Sequence, residues 1–311
     1  MHYAYPPRKS SNPPPYLPRS SRIPRIRRGH LKPIVLVGVI IIGLIWLFSG
    51  GSKQAGHTIS GKPPVVLVTV FDDRSDDSVY KRDTRENRMQ YAEKHGYGTL
   101  LAKTTDYDLG GSPSSWSKVV AMRHALAKYP DCKYVWYLEQ NAFIMNPHVK
   151  VEDYVMGARK LEANMIKELP VVPPDSIIKT FSHLKGDDVE FVITQDKEGL
   201  APGSFIIKNG EWAKFFLDTW FDPLYRSYNF QKAETHALEH IVQWHPTILS
   251  KLAIVPQRII NAYSSNLHGE QYKDGDIAVV FARCSNAADK GCAKEAERFT
   301  QQWRTSFSKA R

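Results

Sequence analysis

Between residues 64 and 138 the chain alternates strand-like and helix-like segments, and that alternation leaves few folds open to it. Residues 64–71 read Pro-Val-Val-Leu-Val-Thr-Val-Phe, a β-branched apolar run that suits a strand buried on both faces. Residues 79–94 read as a charged amphipathic helix ended by His95-Gly96, and residues 97–102 as a second strand. Residues 116–128 form a second amphipathic pattern, with apolar positions at Val119, Val120, Met122 and Leu126; Pro130 stops it. Residues 133–138 give a third strand. Strand, helix, strand, helix, strand predicts an α/β fold with a doubly wound sheet. Ligands in such sheets bind outside the carboxyl ends of the strands. The third strand delivers Glu139-Gln140-Asn141 to that edge, followed by an apolar turn from Ala142 to Met145.

The second half is less regular. Residues 191–196 read as a strand ending in Asp196, and residues 203–208 as another short strand. Residues 212–220 and 234–243 read as helices, the second ended by Trp244-His245-Pro246. Residues 277–282 are a late strand, and residues 293–309 a polar tail that can become helical. Asp72, Asp73, Asp76 and Asp77 follow the first strand. Such a cluster can hold a metal, but it reads more simply as a loop with Asp76 or Asp77 capping the next helix.

The net charge of +10 is unevenly spread. Residues 1–33 carry eight basic side chains and no acid, which leaves 34 basic against 32 acidic residues in the rest. A nearly neutral body gives no electrostatic case for nucleic-acid binding. Residues 34–48 are an unbroken apolar run of 15 residues. With Pro33, Ser49 and Gly50 included it spans roughly 27 Å as a helix, enough for a thin bilayer. The basic flank keeps the amino terminus cytosolic and sends the body into the lumen. The expected organisation is a disordered basic tail at 1–33, a single transmembrane signal-anchor at 34–50, a flexible stem at 51–63 and a luminal domain at 64–311. There are three cysteines. Cys284 and Cys292 are suitably spaced for a local disulfide in an oxidising lumen, which leaves Cys132 as a buried thiol.

Several short blocks run in order along the body. They are Asn87-Arg88, Tyr91-Ala92 and His95-Gly96-Tyr97; Trp116-Ser117-Lys118; Trp136 to Asn146; and Gln195-Asp196, Gly199-Leu200 and Gly203-Ser204-Phe205. Ala237-Leu238-Glu239-His240, Trp244-His245-Pro246-Thr247, Val255-Pro256-Gln257-Arg258 and Asn261-Ala262-Tyr263 continue the series. In this order they resemble glycosyltransferase family 34, the fungal α-mannosyl- and α-galactosyltransferases of the Golgi. Within it the chain resembles the α-1,6-mannosyltransferase group. The resemblance implies a GT-A-like nucleotide-sugar transferase domain with a Rossmann-like, mostly parallel sheet and flanking helices. It also implies a GDP-mannose donor, an N-glycan mannan acceptor, Mn²⁺, and retention of configuration. The expected setting is a hetero-oligomer with other mannosyltransferase subunits on the Golgi membrane, as a single-pass type II protein.

A sugar nucleotide departs as a diphosphate with added negative charge, which a divalent cation bridging its oxygens stabilises. The family's D-x-D motif supplies two carboxylates for that cation, and a late histidine supplies a third ligand. Here those positions read Glu139, Asn141 and Val280. Further departures are Ala201, Thr235 and Arg283. The resemblance implies Lys118, Glu139, Asn141, Gly203 and Ser204 as donor-binding residues, Glu139 and Asn141 as metal ligands, and Asp196 and Glu234 as catalytic residues. Two readings follow: a transferase with a weakened metal site, or a supporting subunit for an active partner. A donor of UDP-galactose, or a membrane-tethered glycan-binding protein, are alternatives. His240 and His245 read as packed histidines, and Trp212, Trp220 and Trp244 as core residues that could otherwise stack on sugar.

Overall fold

The first apolar run forms strand β1 (Val65–Phe71), buried along its whole length. Its alternate residues enter two separate cores: Val65 and Leu67 on one face of the sheet, Val66, Val68 and Val70 on the other. Helix α1 (Val79–His95) follows. Gly96 ends it at φ +67°, a left-handed conformation that glycine adopts without a Cβ penalty. Strand β2 (Gly98–Lys103), helix α2 (Ser117–Lys128) and strand β3 (Tyr134–Leu138) complete the alternation. β1 pairs in parallel with both β2 and β3.

The computed structural model describes residues 62–72, 79–174, 176–281 and 289–309, with backbone only for 289 and 290. The basic tail, the signal-anchor at 34–50 and the stem up to residue 61 therefore lie outside the described residues, as do Asp73, Asp76, Asp77, Arg283 and Cys284. Among the described residues no helix is long and apolar enough to cross a membrane. All of them fall in one compact unit, Ala55–Arg311.

Beyond β3 the chain forms β4 (Ala142–Ile144), α3 (Val151–Tyr154), α4 (Ala158–Asn164), β5 (Phe191–Thr194) and β6 (Ser204–Lys208). Helices α5 (Glu211–Trp220), α6 (Pro223–Ser227), α7 (Glu234–Trp244) and α8 (Pro246–Leu249) come next. Strands β7 (Leu252–Val255), β8 (Ala262–Tyr263) and β9 (Ala278–Val280) and helix α9 (Asp289–Lys309) close the chain. The main sheet has six strands in the order β2-β1-β3-β6-β5-β7. β6 runs antiparallel to both neighbours, whereas β5 and β7 pair in parallel. Two antiparallel steps restore direction, so β1, β2, β3, β5 and β7 all end at the same edge. β6 begins there, with Ser204 beside Leu138.

Two expectations need correction. The apolar turn after Asn141 is strand β4, which pairs antiparallel with β9 in a second sheet of order β4-β9-β8 and sets Ala142 opposite Val280. The polar tail does become a helix, α9, but it belongs to the core. Ala296, Phe299, Trp303 and Phe307 are buried at helical spacing, with Trp303 5.7 Å from Phe143 and Phe299 6.0 Å from Phe281.

Candidate functional site

The tripeptide Glu139-Gln140-Asn141 is held by its backbone. Arg88, wholly buried on α1, donates from Nη2 to the carbonyls of Glu139 and Ala142, both at 2.9 Å. Its Nη1 reaches Asn87 Oδ1 at 2.7 Å and its Nε reaches Thr69 Oγ1 at 3.3 Å. Thr69 in turn donates to the Leu138 carbonyl at 2.8 Å. The Gln140 carbonyl accepts from Tyr80 Oη at 2.8 Å and Thr84 Oγ1 at 3.2 Å, and the Asn141 carbonyl from Phe281 N–H at 2.8 Å. Every carbonyl from Leu138 to Ala142 thus has a donor from a distant segment. Burial lowers the Arg88 pKa to about 9, so the guanidinium stays charged at neutral pH. The Gln140 side chain exchanges two hydrogen bonds with Asp72, which also pairs with Lys81 Nζ.

This clamp presents Glu139 to a cleft with two adjoining lobes of about 240 and 330 Å³, which share Ser115, Lys118 and Glu139. The first lobe opens on Asp72, Thr104 and Asn141. The second is lined by Asp196, Gly203, Glu234, Asn261, Tyr263 and Val280. The carboxyl ends of β1, β2, β3 and β5 and the amino end of β6 all contribute, as the strand directions require. Glu139 N–H donates to the Gly203 carbonyl at 2.9 Å.

At the junction Lys118 Nζ lies 3.1 Å from Glu139 Oε1 and 3.0 Å from Glu234 Oε1. Lys118 is 5% exposed, so it is not the surface helix residue that its sequence position also allowed. Burial by itself lowers the lysine's pKa, but the charges of Glu234 and Glu139 more than offset it and hold the pKa above the usual range. The side chain of Glu139 is 29% exposed, against 4% for that of Glu234, so Glu139 is the member a ligand reaches first.

The second lobe is a network of positioned polar groups. Asp196 Oδ1 accepts from the N–H groups of Glu198 and Gly199 at 2.8 and 3.1 Å, and Oδ2 accepts from Tyr263 Oη at 2.7 Å. Burial, followed by the charge of Asp196, pushes the Tyr263 pKa well above the ordinary phenol value, so Tyr263 remains a donor. Gly199 sits at φ +148°, where a Cβ would stand 2.0 Å from Glu239 Oε1. That oxygen accepts from Leu200 N–H at 3.0 Å. Asn261 is 1% exposed and donates from Nδ2 to Thr194 Oγ1 at 3.1 Å and the Ala201 carbonyl at 3.3 Å. Its Oδ1 is buried without a protein partner, so a ligand hydroxyl or a water is needed to satisfy it.

Of the residues expected at the site, Lys118, Glu139, Asn141, Gly203, Asp196 and Glu234 line this cleft. Ser204 does not. It is wholly buried, and its hydroxyl accepts from Trp136 Nε1–H at 2.9 Å, so it braces β3 against β6. Cys132 is a buried free thiol and Cys292 is disulfide-bonded; Cys284 lies outside the described residues. Asn261 and Tyr263 stand in one of the matched blocks, but nothing in their spacing marked them as cleft residues. Trp220 is core as expected, whereas Trp244 is 70% exposed.

Among the described residues the donor set is short of what Mn²⁺ takes. Glu139 already carries an ammonium at 3.1 Å, Asn141 offers only a neutral amide, and Val280 presents methyl groups where a ligand is needed. Among the described residues no three His, Cys, Asp or Glu side chains converge on one point.

The profile of the galactosyl transferase GMA12/MNN10 family matches residues 61–291. An uncharacterized alpha-1,2-galactosyltransferase of Schizosaccharomyces pombe is 35% identical over 262 residues, covering 82% of this chain and 79% of that protein. The Saccharomyces cerevisiae protein named "Probable alpha-1,6-mannosyltransferase MNN10" is 30% identical, over 71% of this chain and 61% of its own length. Two further S. pombe relatives named galactosyltransferases are spanned over 60% and 59% of their lengths. These three relatives named for galactose match at 35%, 33% and 32% identity, above the 30% of MNN10. A solved glycosyltransferase involved in glycosylating the major capsid of PBCV-1 shares the fold, with a TM-score of 0.51 at 10% identity over 77% of this chain and 100% of that one.

Proposed function

The chain belongs to the galactosyl transferase GMA12/MNN10 family of glycosyltransferases, and from that membership we propose a hexosyltransferase subunit that uses GDP-mannose to extend N-linked mannan. Transfer proceeds with retention, alongside other mannosyltransferase subunits, on the luminal side of the Golgi membrane. The observation that carries this reading is the convergence of Lys118, Glu139, Asp196 and Glu234 in one cleft at the carboxyl edge of the sheet. The leaving diphosphate needs positive charge, and among the described residues Lys118 is the cation that lines both lobes. The sugar centre gains positive charge as the bond breaks, and the carboxylates of Asp196 and Glu234 stand in the lobe where that charge develops. Tyr263, held as a neutral donor, fixes the Asp196 carboxylate in place.

One observation favours the second reading, a supporting subunit. Two carboxylates on one ammonium leave the junction net negative, and Val280 removes a metal ligand. The test is a titration of GDP and UDP against the purified full chain, with and without Mn²⁺. GDP binding that Glu139→Ala weakens supports the transferase. Preference for UDP moves the donor to UDP-galactose, in keeping with the 35% identical relative. No nucleotide binding by the folded protein leaves the supporting subunit.

Two outcomes follow for variants. Asn141→Asp combined with Val280→His is expected to create Mn²⁺-dependent nucleotide binding, because it adds one charged and one imidazole ligand around Glu139. Calorimetry with and without Mn²⁺ reads this directly; an unchanged affinity in the folded double variant would show that ligand chemistry is not what limits the site. Asn261→Ala is expected to weaken sugar binding by roughly three- to tenfold, the worth of one neutral hydrogen bond. Sugar affinity equal to the parent's would mean that Oδ1 bonds only water.

A further inference from the structure

Helix α7 leaves the cleft carrying a stripe of rings. Lys232 lines the second lobe, and His236, His240 and Trp244 follow it at intervals of four residues, on one helical face. Lys232 N–H lies 3.4 Å from His236 Nδ1, which ties the stripe to the cleft mouth. Phe230 stands 6.4 Å from His236 and 6.3 Å from His240, and Trp244 stands 6.1 Å from His240. Tyr225 and Tyr228 widen the stripe, at 5.8 Å from His240 and 5.5 Å from Phe230 respectively. Tyr225 is fixed by a 3.0 Å hydrogen bond between its hydroxyl and His245 Nε2. Trp244 and Tyr228 are exposed rather than packed.

We propose that this stripe is an extended subsite for a neutral hexose oligosaccharide whose end lies in the cleft. The inference rests on the reading of the chain as a glycan-handling protein, and it adds where the glycan runs. Aromatic faces take the apolar C–H faces of sugars, while phenol, indole and imidazole tips bond the hydroxyls at the rim. Protein-binding patches are built on apolar anchors, whereas the exposed members of this stripe, Trp244 and Tyr228, both carry a polar tip. Burial and then the charge of Lys232 lower the His236 pKa, and Lys232 itself is paired with Glu198 at 2.8 Å. With Lys232 offset by Glu198, the rings of Tyr225, Tyr228, Phe230 and Trp244 bring no charge to the stripe, which suits an uncharged polymer. From His236 to Trp244 the helix rises about 12 Å, room for more than one sugar ring.

The experiment compares binding of α-1,6-linked mannohexaose and of mannose to the full chain in detergent, by calorimetry and by tryptophan fluorescence. The parent is expected to prefer mannohexaose. Trp244→Ala, and separately Tyr228→Ala, are expected to cut that preference by about tenfold, with circular dichroism unchanged because both side chains are exposed. Glu139→Ala should instead weaken both ligands together. No preference for the longer ligand in the parent, or one that survives both ring substitutions, overturns the proposal. So does loss of a co-purifying protein partner on Trp244→Ala with mannohexaose binding intact. Ring-dependent mannohexaose binding without any nucleotide binding would uphold the subsite and overturn the transferase reading alone.

Discussion

Replacing Arg88 with methionine is expected to cost the domain about 3–5 kcal/mol and to abolish ligand binding in the cleft. Methionine keeps most of the volume but none of the donors. The carbonyls of Glu139 and Ala142, Asn87 Oδ1 and Thr69 Oγ1 would each lose a partner inside the protein. Each buried acceptor left short costs roughly 1–3 kcal/mol, and relaxation recovers part of the total. Arg88→Lys keeps the charge but concentrates it at one point. It cannot span carbonyls three residues apart and also reach Thr69, so an intermediate loss is expected. Urea unfolding measures both variants. A loss under about 1 kcal/mol for Arg88→Met would mean that the strands position the tripeptide without the clamp.

The sequence disclosed the parallel half of the sheet because β-branched runs and amphipathic helices alternate there with little ambiguity. It disclosed the cleft because that topology places Glu139 at the carboxyl edge. It did not disclose the direction of β6. A strand buried on both faces reads the same in either direction, and only the pairing of Leu138 with Ser204 shows why Gly203 meets Glu139. Ser204 was misplaced for a related reason. Its hydroxyl is claimed by Trp136, a residue 68 positions away, and no local pattern records that bond. The core role of helix α9 was hidden by its polar majority, since four buried apolar positions among 21 residues raise the mean hydropathy only slightly. The exposure of Trp244 defies the ordinary expectation for tryptophan, and such departures concentrate where a surface has a use.

Lys118→Met tests the charge arrangement on which the chemistry depends. The variant is expected to lose about 3–5 kcal/mol at neutral pH, because Glu139 and Glu234 would face each other without the ammonium between them. Two nearby carboxylates cannot both ionise freely, so at least one is expected to have its folded pKa raised above its unfolded value of about 4.3. A group shifted in that direction contributes stability below the unfolded pKa and loses it as pH rises through the folded pKa. The loss in Lys118→Met should therefore be smallest in acid and grow towards neutrality. Adding Glu234→Gln removes one of the two charges and should recover most of the stability and abolish the growth of the loss towards neutrality. The double variant then separates structure from chemistry. If it folds like the parent yet binds no nucleotide, the ammonium itself meets the diphosphate. If nucleotide binding returns along with stability, Lys118 serves only to hold two carboxylates together, and the positive charge for the leaving group must come from elsewhere.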